Sequence, residues 1–158
     1  MSIITLAVAR RHLRVEDDYP AEQIQGKLDA AEDHAAQYLN RRLFASAGDL
    51  QAAVDAVPAD LAAARTAYDA ATTAAANIED PELQALARGR AEIAYVRAKT
   101  LAQETFDGIV LTPSIEAAVL LILGLLFQNR EDGQAGTMTS LPLGSRQLLT
   151  PYRVQLGV

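Results

Sequence analysis

TPSIEAAVLLILGLLFQNREDG, residues 112–133, is the stretch on which the fold turns. From Ile115 to Phe127 it is apolar nearly all round. Thr112-Pro113 ahead of it carries a helix start, and Glu131-Asp132-Gly133 behind it carries a stop. A helix that is apolar on every face has to be surrounded by other elements. Its unbroken apolar run, Ala117 to Phe127, spans about eleven residues, well short of the roughly 18 that a membrane crossing needs. The spacing therefore predicts a buried central helix from Pro113 to about Arg130, in a soluble protein made and used in the cytoplasm. The N-terminus, MSIITLAVARRHLR, has its arginines after its apolar residues rather than before them, which argues against a secretory signal.

Working outward, the segments that would surround this helix come from the two ends of the chain. Thr5 is placed to cap a short helix from Leu6 to Leu13, followed by the acidic turn Glu16-Asp17-Asp18. Pro20 then opens a helix to about Arg42, with Ile24, Leu28, Ala31, Ala35 and Tyr38 as its apolar stripe. Asp29, Glu32 and Asp33 lie off that stripe and read as a solvated face. Gly26 weakens this helix by roughly 1 kcal/mol against alanine unless close packing requires it. On the other side, a Gly/Thr/Ser-rich loop reaches Ser140 and leads into Leu141-Pro142-Leu143-Gly144. Ser145 is expected to cap a last helix, Arg146 to Thr150, with Pro151 as its stop. An extended tail from Tyr152 to Val158 follows.

Between these ends, Ala45 to Asp107 is alanine-rich. Leu50, Val54, Val57, Leu61, Ala64, Tyr68, Ala71, Ala75 and Ile78 alternate at spacings of four and three, a heptad seam. Pro58 interrupts it and is expected to divide or kink the helix. Asn77 to Pro81 reads as a turn with a capped restart. A second helix then runs from Pro81 to about Thr105, with Leu83, Ala87, Ala94, Ala98 and Leu101 on one face. The architecture expected is all-α: a small helical bundle around the buried helix 113–131, with an antiparallel helical hairpin inserted at about 49–105. The whole chain, 1–158, reads as one domain, with 45–107 as its insertion.

Catalytic chemistry finds little to work with. Cysteine is absent, which excludes disulfides and thiolate metal sites. The two histidines, His12 and His34, stand outside any HExxH, P-loop or GxSxG spacing. His34 follows Glu32-Asp33, but adjacent helical positions point to different faces and cannot share an ion. The Glu16 to Asp18 turn lacks the alternating oxygen ligands of a calcium loop. No catalytic residue, cofactor or metal is expected. The net charge of −6 offers no basic field for nucleic acid. Modest basic clusters at Arg10, Arg11 and Arg14, at Arg41 and Arg42, and at Arg88, Arg90, Arg97 and Lys99 could contact phosphate, but with no aromatic platform among them they better suit salt bridges to acidic neighbours in the same or another subunit. The last segment, with Leu148, Leu149, Tyr152, Arg153, Val154 and Leu156, is too apolar for a free end. Either it docks on a partner or it packs back on its own bundle.

Two regions carry a resemblance. HLRVEDDYPAEQIQGKLDAAEDHAAQYLNRRLF, within the stretch Leu6 to Phe44, resembles the opening of the phage head–tail connector (adaptor) family: a short helix, an acidic turn, and a second helix ending in Tyr-x-x-Arg, here Tyr38 and Arg41. Asn40 stands where that family usually has glycine. Ile115 to Glu131 resembles the family's apolar helix ending in Asn-Arg-Glu. Leu141 to Gly144, then Leu148-Leu149 and Pro151-Tyr152-Arg153, resemble its closing signature. Ala45 to Asp107 departs from the pattern, since family members usually have a shorter or β-rich connection there. The resemblance implies a structural virion protein assembled in the host cytoplasm. It implies a closed ring of about twelve subunits, joined by head-to-tail contacts. Such a ring sits below the portal at the capsid vertex, meets the tail completion or stopper protein, and passes DNA without sequence-specific binding. Leu148, Leu149, Tyr152, Arg153, Val154 and Leu156 are then candidates for docking on the portal, and Arg10, Arg11, Arg14, Arg41 and Arg42 for contacts between subunits. No membrane partner is implied. The competing reading is a helical assembly chaperone that leaves before the virion matures.

Overall fold

Local capping signals set the ends of most helices. In the computed structural model, which describes residues 2–16, 18–129 and 143–154, α1 spans Leu6–Leu13. The Thr5 hydroxyl accepts from the amide of Val8, and Arg14 ends the helix in the left-handed conformation at φ 55°. Arg10, Arg11 and His12 occupy its last turn, where positive charge suits the helix dipole. The second helix, α2, spans Ala21–Leu39 and also ends on a left-handed residue, Asn40, at φ 53°. Asparagine tolerates this conformation better than any other side-chain-bearing residue except aspartate, and glycine tolerates it freely. That is the physical reason asparagine can stand at a position that favours glycine.

The short strands β1 (Leu43–Phe44) and β2 (Ile109–Val110) pair in parallel, Leu43 with Ile109 and Phe44 with Val110. Parallel strands need a long crossover. Here the crossover is the helical hairpin of α3 (Ala47–Ala76) and α4 (Pro81–Phe106). Asp80 caps α4 by accepting from the amides of Glu82 and Leu83 at 2.8 and 3.1 Å. After β2, Thr112 caps α5 (Pro113–Gln128), and the chain ends in α6 (Leu143–Leu149) and a 3-10 turn, Thr150–Tyr152. The protein is all-α apart from the two-residue ladder.

The chain divides into two compact units, 1–47 with 108–158, and 48–107. In the first, α5 is the central helix, packed on α2, α6 and α1. Ile115, Val119, Ile122 and Leu123 of α5 meet Ile24, Leu28 and Leu39 of α2, all fully buried or nearly so. Full burial of each such side chain contributes about 1.5–3 kcal/mol. Tyr38 sits at the rim of this stripe and Leu39 in its interior.

In the second unit α3 lays Leu50, Val54, Val57, Leu61, Ala64, Tyr68 and Ala75 on its inner side, with Thr72 taking the place expected for Ala71 and Ile78 half-buried in the turn that follows. The helix runs unbroken through Pro58, so the proline does not divide it. Pro58 is exposed, and the long helix absorbs the one missing amide donor. The inner face of α4 is rotated from the one the sequence suggests. Ala87, Ala91, Tyr95, Ala98, Ala102 and Thr105 turn inward, while Leu83 and Leu101 are exposed. Since α3 already supplies the bulk, α4 fits against it with small residues. The third difference is at the end of the chain. Ser145 is fully buried inside α6 rather than capping it, and Pro151 lies within the 3-10 turn. Leu141, Pro142, Arg130 to Ser140 and the tail from Gln155 lie outside the described residues.

Candidate functional site

Both histidines are exposed, and the Nε2 atom of His12 lies 3.6 Å from where a Cβ on Gly124 would stand. Among the described residues no cluster of three metal-ligating side chains forms. Glu16 and Asp18 are exposed, and Asp17 lies outside the described residues. What the fold does offer is surfaces.

The first surface surrounds the C-terminal end of α2. The Arg41 guanidinium donates to the carbonyls of Tyr152 at 3.1 Å and Gly108 at 3.4 Å. Asn40 donates from its side-chain amide to Val154, whose own amide donates to Leu39 at 3.1 Å. Tyr38 shares a hydrogen bond with Thr150, which holds its phenol below the usual range, and the Arg153 guanidinium lies 5.1 Å from its ring centre. Leu149 is fully buried in the chain's own core, with Leu148 and Tyr152 packed against it at the edge. Arg153 and Val154 are half-buried, and Leu156 lies outside the described residues.

The arginines divide by exposure. Arg10 is half-buried and donates to the carbonyl of Tyr19 at 2.9 Å, tying α1 to the start of α2. Arg11, Arg14 and Arg42 are exposed, with Arg42 lying over the ring of Phe44.

The acidic side of α2 differs from the solvated face its spacing suggests. Glu32 accepts from the backbone amides of Ile3 and Ile4 at 2.9 and 2.8 Å, and Asp29 accepts from Ser2 and Gln25. Together they strap the N-terminus to the helix. Lys27 caps α5 by donating to the Leu126 carbonyl at 2.7 Å. Apart from Gln25, one helical turn from Asp29, these partners are far apart in sequence, so helical spacing alone gives no sign of them.

A third surface belongs to the hairpin. Tyr68 of α3 lies against Tyr95 of α4, ring centres 5.3 Å apart. Arg65 bridges to Tyr95 and Asp69, which raises its pKa, and Lys99 sits 4.9 Å from the Tyr95 ring centre. Tyr68 donates to Glu92, and its phenol is held above the ordinary range by that carboxylate. The two tyrosines hold the alanine-rich helices apart and leave an open groove of about 340 Å³ beside them. On the outer side of α4, Leu86 and Ile93 are 70% and 71% exposed, with Leu83, Val96, Leu101 and Phe106 also exposed. Placing Leu83 and Leu101 on the inside of the hairpin hides this face, whose sequence signal is Leu83, Leu86 and Ile93 at spacings of three and seven.

The family described as phage gp6-like head-tail connector protein matches residues 3–153. The chain belongs to that family, a family of structural virion proteins that join head and tail. No curated protein and no solved structure matches it.

Proposed function

We propose that the chain forms a closed ring between the portal and the tail completion or stopper protein, extending the channel through which DNA passes. The observation that carries this reading is the family match over residues 3–153, which takes in both ends of the helical bundle. Ring closure requires a heterologous contact, in which one surface of each copy meets a different surface of the next. The exposed Arg11, Arg14 and Arg42 are suited to that contact. A chain with net charge −6 suits a channel wall to which DNA does not adhere.

In this reading the portal docks on the C-terminal turn. Leu149 anchors the segment in the core, and Leu148, Tyr152, Arg153 and Val154 shape its outer side, with Leu156 following. Light scattering and negative-stain imaging of the purified chain, alone and with portal, test the ring. Annular particles of about twelve copies are expected. A monomer that persists with portal present refutes the ring. Mass spectrometry of purified virions separates this role from that of an assembly chaperone, which would be missing from them.

A further inference from the structure

The outer faces of the hairpin complement each other in bulk. On α4, Leu83, Leu86, Arg90, Ile93, Arg97 and Thr100 follow spacings of three and four, and all six are exposed. On α3, Ala52, Ala56, Ala59, Ala63, Thr66 and Ala70 follow the same rhythm on the side away from α4, and they too are exposed. Each is a heptad stripe of the kind helices use to pack. One stripe presents large side chains and the other presents small ones. The hydroxyls of the two threonines within them are satisfied locally. Thr66 donates to the Ala62 carbonyl at 3.0 Å and Thr100 to the Val96 carbonyl at 3.2 Å, which leaves their methyl groups available for packing.

We propose that the hairpin is a head-to-tail self-association module, in which the outer face of α4 packs on the outer face of α3 of a second copy of this chain. The charges select this occupant. Along α3, Asp49, Asp55, Asp60 and Asp69 stand against the single Arg65, so the helix is acidic. Along α4, Arg88, Arg90, Arg97 and Lys99 outnumber Glu82, Glu92 and Glu104. A contact of α4 with α4 would set Arg90 and Arg97 against their own copies, whereas α4 on α3 sets a net basic helix against a net acidic one. The two faces lie on opposite sides of one hairpin, so they cannot satisfy each other within a chain.

Register follows from the hairpin itself. Tyr68 stands opposite Tyr95. With the hairpin set along the rotation axis, copies related by rotation keep that level, which brings Ile93 to the Thr66–Ala70 stretch of the neighbour. Each copy then adds two helix widths to a continuous row, about 18 Å at the usual interaxial spacing. The contact deepens the ring reading and rests on it for closure, because a heterologous contact that fails to close gives a filament.

The absence of cysteine makes the test direct. Full-length Ile93→Cys and Ala70→Cys are prepared separately, mixed, and oxidised; both positions are exposed, and circular dichroism checks the fold. The mixture is expected to yield at least ten times more cross-linked dimer than either variant alone. Ile93→Asp, with unchanged helicity, is expected to lower the assembled fraction at least ten-fold by sedimentation velocity. Dominant Ile93–Ile93 cross-links would overturn the proposal in favour of a symmetric contact. Wild-type rings without mixed cross-links would overturn it while leaving the ring reading intact. Mixed cross-links in a chain that never closes into rings would uphold the contact and refute the ring. Cross-linking of Ile93→Cys to portal instead of to a second copy would overturn it as well.

Discussion

Removing the Glu32 carboxylate should detach the N-terminal strap, and the structure sets the size of the effect. The carboxylate accepts from the amides of Ile3 and Ile4 at 2.9 and 2.8 Å, one oxygen to each. A hydrogen bond to a charged group contributes about 1.5–3 kcal/mol net. Glu32 and Ile3 are only half-buried, which places these bonds at the low end. A freed strap can also recover hydrogen bonds to water, at the expense of exposing Ile4, now buried. Burying a side chain of that size contributes about 1.5–3 kcal/mol. Glu32→Ala is therefore expected to cost about 2–3 kcal/mol, which lowers Tm by roughly 3 °C per kcal/mol for a chain of this length. Glu32→Gln, which retains one acceptor oxygen, should lose about half as much. Hydrogen exchange reports the mechanism, because the amides of residues 3 and 4 should lose protection while those of α5 keep theirs. A cost below about 0.5 kcal/mol, the range of an ordinary surface substitution, would refute the strap.

Four further outcomes follow from particular contacts. Leu149→Ala should cost about 3–4 kcal/mol in denaturant unfolding, as a fully buried leucine does, and Leu148→Ala about 1 kcal/mol; equal costs would mean that the segment is not seated in the core. Gly26 is exposed with nothing within 4 Å of a Cβ, so Gly26→Ala should raise stability by about 0.5–1 kcal/mol, read as a higher Tm. At Asn40, Gly keeps the left-handed backbone but loses the bond to Val154, while Ala loses both, so denaturant unfolding should rank Asn above Gly above Ala, with about 1 kcal/mol per step. Asp29 is held below the ordinary carboxylate range by Ser2 and then by Gln25. Such a group adds stability above its unfolded pKa and loses it as pH falls through the lower folded value. The small Tm gap between wild type and Ser2→Ala should therefore be present at neutral pH and close as pH falls below about 4.

How much of this fold is legible in the sequence depends on how local the deciding interaction is. Thr5, Asp80 and Thr112 act on amides within three residues of themselves, and sequence spacing finds them at once. The apolar character of Ile115 to Phe127 likewise marks the central helix, but it overstates the burial, since Ala117 and Leu121 are exposed. Glu32 is different, because its partners lie 28 and 29 residues away and nothing in the helix period marks it as more than a solvated acid. The rotation of α4 was missed for another reason. Periodicity identifies a face but not which of two faces turns inward, and Leu83 and Leu101 attract the inner assignment by their size. The bulk already on α3 reverses that choice. Pro58 shows propensity yielding to context, since the long helix on either side tolerates one missing amide. The strands, at two residues each, are too short to leave a pattern.

The six residues after Tyr38 explain why so large a middle segment does not disturb the bundle. Leu39 and Asn40 hold Val154, Arg41 holds Tyr152 and Gly108, and the carbonyls of Arg42 and Phe44 accept from Ile109 and Leu111 at 2.9 and 2.8 Å. One short stretch thus ties the C-terminal turn and the returning chain to the end of α2. The chain can leave after Phe44 and come back at Ile109 with its endpoints already fixed. Closing a flexible loop costs only about 0.6 kcal/mol more for each doubling of its length, so replacing a dozen residues with about sixty adds roughly 1.4 kcal/mol. Residues 48–107 form a compact unit of their own, with a capped second helix and a tyrosine pair between the helices, and that lowers the cost further. The bundle therefore places little constraint on what the hairpin carries on its outer faces. On the contact proposed above, the large side chains on the outer face of α4 and the alanine stripe on α3, both exposed in a single chain, cover each other between copies.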